Sequence, residues 1–422
     1  MLYKKVIGFQ AFVLGFFLLV NPVFANQEKV TIAVVWGGKE LEAFKAMVAP
    51  FGKKTGIDIV IESVGRDLPT VLMTRFYAGN PPDLAAMPNP GQMKEFVREK
   101  GLVPLDNRII KNHQKAIADL GGYDGKLYGI FISADLKSLI WYDPKQFNAK
   151  GYKVPVTWQE LIALSDKIVA DGRRPWCIGL ESGAASGWPG TDWIEDILLR
   201  TAGPEVYDEW VNHDIKWTDP RIYRAWEYFG QIARNNKYLY GGTTGALTTN
   251  FGDSPMNLFT EPPGCYLQRQ ATFIQLFIKK SNPGLVPMRD YNIFVFPIID
   301  KAFGTPLVGS GDLISVFKDT IESRQFMEYL SSTEAQEIWI KQTGKLAVNN
   351  KIDFSIYKDP ITAKAARILR EAHTFRFDAS DLMPAAVGSG AFWKGVLDYV
   401  SGEELDTVLK RIEKSAEHAY GN

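Results

Sequence analysis

Four histidines, His113, His213, His373 and His418, are scattered along the 422 residues, and none stands at a spacing such as H-E-x-x-H that would hold a metal. The two cysteines, Cys177 and Cys265, are too far apart for a zinc knuckle. No G-x-S-x-G elbow, Walker loop or G-x-G-x-x-G fingerprint occurs. The residue types therefore imply no catalytic group, metal or cofactor. Carboxylates are plentiful, and a pair set as in a glycoside hydrolase keeps a secreted carbohydrate-active enzyme as the rival reading.

What the chain does offer is flat aromatic rings and planar polar groups at places where the backbone turns. Trp36 follows an apolar run and precedes Gly37-Gly38, with Glu40 one helical turn further on. Arg66 and Asn89 stand at the ends of two further runs. Trp188 lies in the tight Gly187-Trp188-Pro189-Gly190 loop, with Asp192 after it. Tyr266 and Gln268 flank Cys265 with alternating direction, so that both can face one cleft. Gly311 and Asp312, in Gly309-Ser310-Gly311-Asp312, allow close backbone approach to a ligand, or form a plain turn. Arg376, Asp378 and Asp381 crowd charge between Phe375, Phe377 and Leu382, which makes them either a site or a salt bridge between lobes. Indole faces cover the C–H patches of a ring, and carboxylates, amides and guanidinium groups bond adjacent hydroxyls. The chemistry on offer is recognition of a polyhydroxylated ring by contact. Each residue also has a structural reading: Trp36 packed under a sheet edge, Asp192 capping its helix, Arg66 and Asn89 solvated.

Positioning these groups falls to alternating strands and helices. Val30 to Val35 reads as a strand, and Leu41, Phe44, Val48 and Phe51 recur at helical spacing up to Gly56. Ile57 to Val64 reads as a second strand. Asp67 caps a helix through Tyr77 with Pro69 in its first turn, and Asp83 to Met87 is a third strand. This order specifies parallel strands with right-handed crossovers, and ligands sit outside the carboxyl ends of such strands. Leu139 to Tyr142 is a strand leaving this lobe, and Thr157 with Glu160 forms the capping box of a helix to Ala170. A second α/β lobe is expected from a strand at Cys177, helices over 192–199 and 221–235 and a strand over 293–297. Tyr240 to Pro263 reads as irregular loop. Beyond Leu307, a strand over 312–317 and two helical stretches over 322–342 follow. With no long linker, the fold class is α/β and two-lobed. The expected division is 26–137 with 306–348 for the first lobe and 138–305 with 349–422 for the second, joined by several crossings.

Lys4 and Lys5, the apolar run Val6 to Val20 and Val23-Phe24-Ala25 make residues 1–25 a secretory signal peptide, so the mature chain begins near Asn26 in the periplasm. The run is shorter than the ~20 apolar residues that cross a bilayer. Without Lys4 and Lys5, the 48 basic residues fall two short of the 48 acidic ones, a balance that implies neither nucleic acid nor an anionic membrane as partner. Two cysteines exported to an oxidising compartment are expected to bond to each other; two separately buried thiols are the alternative.

Trp36-Gly37-Gly38-Lys39, Lys53-Lys54-Thr55-Gly56-Ile57 and the Gly79-Asn80-Pro81-Pro82-Asp83 turn resemble the opening of family 1 extracellular solute-binding proteins, the sugar-binding components of ABC importers. The resemblance continues through Phe326 to Ser332, Glu334-Ala335-Gln336, Gly344 to Asn349, Met383-Pro384 and Ala391-Phe392-Trp393. It spans the mature chain in the family's order. It implies a type II-like periplasmic binding fold and a monomer that closes on a small-molecule carbohydrate by hinge motion and docks on ABC permease membrane subunits. It also implies a carboxylate contact to sugar at Glu181 and stacking at Trp393, for which packing beside Phe392 is the other reading. One departure is Gly264-Cys265-Tyr266, where relatives carry a Gly-Ser-Trp or Gly-Pro-Trp turn. Thr374 to Asp378 with Ser380-Asp381 resembles binding proteins for α-glucosides. An anionic ligand, a sulfonated or phosphorylated glycoside, is the alternative that Arg66 and Arg376 suggest.

Overall fold

The computed structural model describes residues 28–421, without the side chain of Arg66; the signal-peptide reading lies outside the described residues. The chain opens with β1 (Lys29–Val34), α1 (Gly38–Thr55), β2 (Asp58–Ser63), α2 (Leu68–Tyr77), β3 (Leu84–Met87) and α3 (Pro90–Arg98). The three strands pair in parallel with β1 in the middle, as the alternation of strand and helix predicts. Two antiparallel strands, Leu313–Val316 and Gly129–Phe131, complete the sheet beside β3. Because Leu313 pairs with Met87, the start of the 313–316 strand lies at the same edge as the carboxyl end of β3. Trp36, Asn89 and Asp312 are brought to one rim by this register. One difference concerns Asp67: its carboxylate makes no cap, because a 3-10 turn over Gly65–Asp67 leads straight into α2.

The second lobe departs from the expected α/β pattern. Its sheet has three short strands, Asn292–Val295, Leu139–Tyr142 and Gln268–Arg269, all antiparallel. Its core is mainly helical, with Trp193 and Ile197 of the helix Trp188–Thr201 buried with Trp226 and Phe229 of the helix Pro220–Ala233. Cys177 stands in no strand. Its neighbour Trp176 makes isolated bridges to Leu239 and Leu267, and Pro175, Gly179, Pro263 and Gly264 interrupt any longer ladder. The region 240–263 is not wholly irregular. Gly241 in the left-handed region starts a helix, Gly242–Thr248, and Pro255 sits in the first turn of a 3-10 helix, Ser254–Phe259.

A third sheet lies where the chain passes between the lobes. Leu307–Ser310 pairs in parallel with Phe375–Phe377 and antiparallel with Asp135–Leu136. The segments 132–138 and 305–312 each run from one lobe's sheet through this small sheet into the other's.

Cys177 and Cys265 are disulfide-bonded to each other, as expected. The bond closes a loop of 88 residues, for which chain entropy gives about 4.6 kcal/mol. Replacing both cysteines by serine is expected to lower unfolding stability by up to that amount, measured by urea denaturation. An unchanged midpoint would mean that the second lobe does not depend on the link.

Candidate functional site

Between the lobes lies an open-mouthed cleft lined from both sides, the concave setting in which small-molecule sites are found. Trp36, Glu40, Asn89, Gly311 and Asp312 reach it from the rim of the first lobe, and Trp188, Asp378 and Trp393 from the second. These eight sequence candidates are brought together. Trp36 is wedged between Phe44 and Trp339, with ring centroids 4.9 and 4.7 Å away, and its indole N–H donates to Asp312 Oδ2 at 2.8 Å. The structural reading of Trp36 and its place on the cleft wall therefore hold together. Trp188 is 7% exposed and packs edge-on against Phe251. Trp393 donates its N–H to Ser380 Oγ at 3.2 Å. The helix carrying Trp188 can press against Trp393 because Gly187 takes φ +107°, and a Cβ there would lie 2.2 Å from the Trp393 carbonyl oxygen.

Two lysines not singled out from sequence organise the polar walls. Lys345 Nζ lies 3.0 Å from Asp135 Oδ2, 3.3 Å from Glu40 Oε1 and 3.4 Å from Asp312 Oδ2. Lys137 Nζ bonds Asp192 Oδ1 at 2.8 Å and also Asp378, and sits 5.2 Å from the centre of the Trp188 ring. Burial acts to lower both amines, but the surrounding carboxylates outweigh it and hold them well above the usual lysine range. Phe273 and Phe277 add apolar wall.

Asp192 is not at the head of its helix. Pro189 in the first turn sets the start at Trp188, which places Asp192 one turn inside, fully buried. It neither caps the helix nor lines the cleft: it supports Lys137 from behind and bonds Arg269 Nη1 at 3.0 Å. Arg269 in turn bonds Asp196 at 2.5 Å, and Asp196 bonds Arg200 Nη1 at 2.7 Å. The result is a buried chain of alternating charge from Asp378 to Arg200.

Four of the remaining candidates lie elsewhere. Arg376 pairs with Asp208, Nε and Nη2 each 2.7 Å from a carboxylate oxygen, on a partly exposed face away from the cleft. Tyr266 is 2% exposed, its ring edge-on to Tyr152. Gln268 bonds Ser254 Oγ at 2.6 Å beside a second, small cavity next to Cys177. Strand alternation from Cys265 would turn both to the cleft, but the strand pairing begins only at Gln268. Glu181 accepts from Gly183 N–H at 2.6 Å and from Asn250 Nδ2 at 2.7 Å, and does not line the cleft. Arg66 stands in the 3-10 turn before α2, its side chain outside the described residues.

Asp381, which also lines the cleft, accepts a hydrogen bond from Asn89 Nδ2 of the opposite lobe at 2.5 Å. Asp378 caps its helix, accepting from Asp381 N–H at 2.9 Å and Ser380 Oγ–H at 2.8 Å. Burial and the nearby Asp378 charge hold the Asp381 carboxyl well above its ordinary value of 3.8. A carboxyl raised in the folded state binds its proton more tightly there than in the unfolded chain. Stability is therefore lost as pH climbs from about 3.8 towards the folded value. Asp381→Asn keeps an acceptor oxygen for Asn89 and removes this term. The variant is expected to lose less stability than the wild type between pH 4 and 7, read as melting temperature against pH. Parallel curves would mean that Asp381 is not held protonated.

The chain matches the model of the bacterial extracellular solute-binding proteins over residues 37–337. It is 44% identical over 395 residues to the osmoprotective compounds-binding protein GgtB of Synechocystis sp., covering 92% of this chain and 93% of that one. It is 39% identical over 401 residues to the alpha-glucosides-binding periplasmic protein AglE of Rhizobium meliloti, covering 92% and 87%. Among solved structures, a chitin oligosaccharide binding protein superposes with a TM-score of 0.80 at 15% identity, over 93% of this chain and 99% of that one. RafE in complex with raffinose superposes at 0.75 and 18%, over the same shares. A two-lobed fold, a cleft built from both lobes, the family match and full-length relatives that are binding proteins lead to one assignment: the chain belongs to the family 1 extracellular solute-binding proteins of ABC sugar importers, and it is a binding protein, not an enzyme.

Proposed function

We propose that this chain is the periplasmic capture subunit for a carbohydrate of the α-glucoside class, acting as a monomer that closes its lobes on the sugar and presents it to the permease. The lobes divide at 137/138, 305/306 and 348/349 in this reading. The observation that carries it is the make-up of the cleft, where the indoles of Trp188 and Trp393 stand beside planar carboxylates within one small space. Rings of C–H and hydroxyl are the ligands such walls suit. The names of the two full-length relatives support α-glucosides and osmoprotective compounds as the classes to try first. The anionic alternative loses its motive on one side, since Arg376 is engaged by Asp208 outside the cleft.

A thermal-shift screen with maltose, sucrose, trehalose and small glycosylated polyols tests the proposal. Ligand at a hundred times its dissociation constant adds about 2.7 kcal/mol, a plainly visible rise in melting temperature. A panel in which no glycoside raises it would overturn the reading.

A further inference from the structure

We propose that the cleft sorts ligands by charge, admitting uncharged glycosides and rejecting the same rings when they carry a carboxylate or phosphate. This rests on the reading of the cleft as a glycoside site. Among the described residues, five carboxylates line it, those of Glu40, Asp135, Asp312, Asp378 and Asp381, against two cations, Lys137 and Lys345. Neither cation is available to an anion. An ammonium has three donors; Lys345 has carboxylates of Asp135, Glu40 and Asp312 within 3.4 Å, and Lys137 is held by Asp192 and Asp378 with the Trp188 ring against it. Both side chains are about 5% exposed. The charges behind the wall do not alter the balance. Arg269 and Arg200 are tied to Asp192 and Asp196, and Glu195, whose Oε1 accepts from Ser380 N–H, has its carboxyl held well above its ordinary value by burial and the Asp378 charge.

Setting aside Asp381, whose carboxyl is held well above its ordinary value by burial and the Asp378 charge, four lining carboxylates still face two lysines. For an incoming anion to reach an ammonium, a buried carboxylate must first give up its partner, which is unfavourable in a setting screened little by water. An uncharged ring meets no such barrier: each lining carboxylate keeps acceptor capacity for a hydroxyl proton.

The test has two arms, and the first needs no ligand. Among the described residues, which hold all eleven tryptophans, Trp393 alone is not buried. Collisional quenching of protein emission therefore reports what reaches the cleft wall at Trp393, and Trp393→Phe confirms the source by removing the quenchable fraction. At fixed iodide, added sodium chloride screens repulsion. The iodide quenching constant is expected to rise with salt while that of uncharged acrylamide stays level; an iodide constant that is flat or falls with salt overturns the proposal. In the second arm, methyl α-D-glucopyranoside is compared with methyl α-D-glucopyranosiduronate by calorimetry. The uronate is expected to bind at least ten times more weakly, and equal or tighter binding overturns the charge claim. If neither binds, the glycoside reading of the cleft is what suffers, and the iodide arm still decides the charge claim.

Discussion

Lys137→Met is expected to destabilise the protein by about 3 to 5 kcal/mol, the range for removing one partner from a buried charge network. The ammonium bonds Asp192 of the helix Trp188–Thr201 and Asp378 at the head of the helix Ala379–Leu382. Those two carboxylates are 0% and 1% exposed. Methionine fills similar space but leaves Asp378 with only the Ser380 hydroxyl and the Asp381 N–H, and Asp192 with only Arg269. Urea denaturation at pH 7 measures the change as a lower midpoint with an unchanged slope. Converting Asp192 to Asn in the same background is expected to recover part of the loss, since one uncompensated charge is then gone. A cost below about 1 kcal/mol, the scale of an exposed pair, would show that the buried chain of charges does not hold the second lobe to the crossing segment.

Gly91→Ala is expected to weaken sugar binding at least tenfold, about 1.4 kcal/mol, while leaving the folding of the free protein intact. Gly91 is the second residue of α3, directly after Pro90. A Cβ built there would lie 2.0 Å from the Met383 carbonyl oxygen and 2.8 Å from that of Leu382. Met383 belongs to the core of the second lobe, and the adjoining Ala385 N–H donates to Glu95 of α3 at 2.8 Å. The contact is therefore one of lobe against lobe, beside the Asn89–Asp381 bond. Within a helix, alanine is favoured over glycine by up to about 1 kcal/mol. The substitution thus helps α3 locally and obstructs the approach of the lobes. Calorimetric titration with the sugar identified by thermal shift gives the affinity, and urea denaturation the stability. Unchanged affinity would mean that this close approach is not part of the bound state.

Much of the first lobe is legible along the chain because its signals are local. The β-branched runs of β1 and β2, the helical spacing of Leu41 to Phe51 and the stop at Gly56 each need only a few neighbours. The capping box of Thr157 and Glu160 forms as its spacing specifies. The rule that ligands gather at the carboxyl ends of parallel strands brought Trp36 and Asn89 to the cleft, and the antiparallel strand beside them added Asp312. The second lobe is less legible because its order is tertiary. Cys177 and Cys265 sit in apolar flanks that read as strands, yet the prolines and glycines around them leave only bridges, and Tyr266 and Gln268 turn away from the cleft as a result. Arg376 finds Asp208 across 168 residues of sequence, a distance at which local pattern says nothing. Lys137 did leave a trace. A lysine in the apolar run Leu136 to Ile140 must be paired if it is buried, and only the partners, 55 and 241 residues away, were beyond reach.

A crystal structure of the protein grown with the glycoside that gives the largest thermal shift tests the central claim most directly. The account predicts density for the sugar in the cleft, touching Trp188 or Trp393 on one side and Glu40 or Asp312 on the other, with Lys137 and Lys345 still bound to their carboxylates. Density seated on one lobe alone, or at a place remote from these indoles, would contradict it.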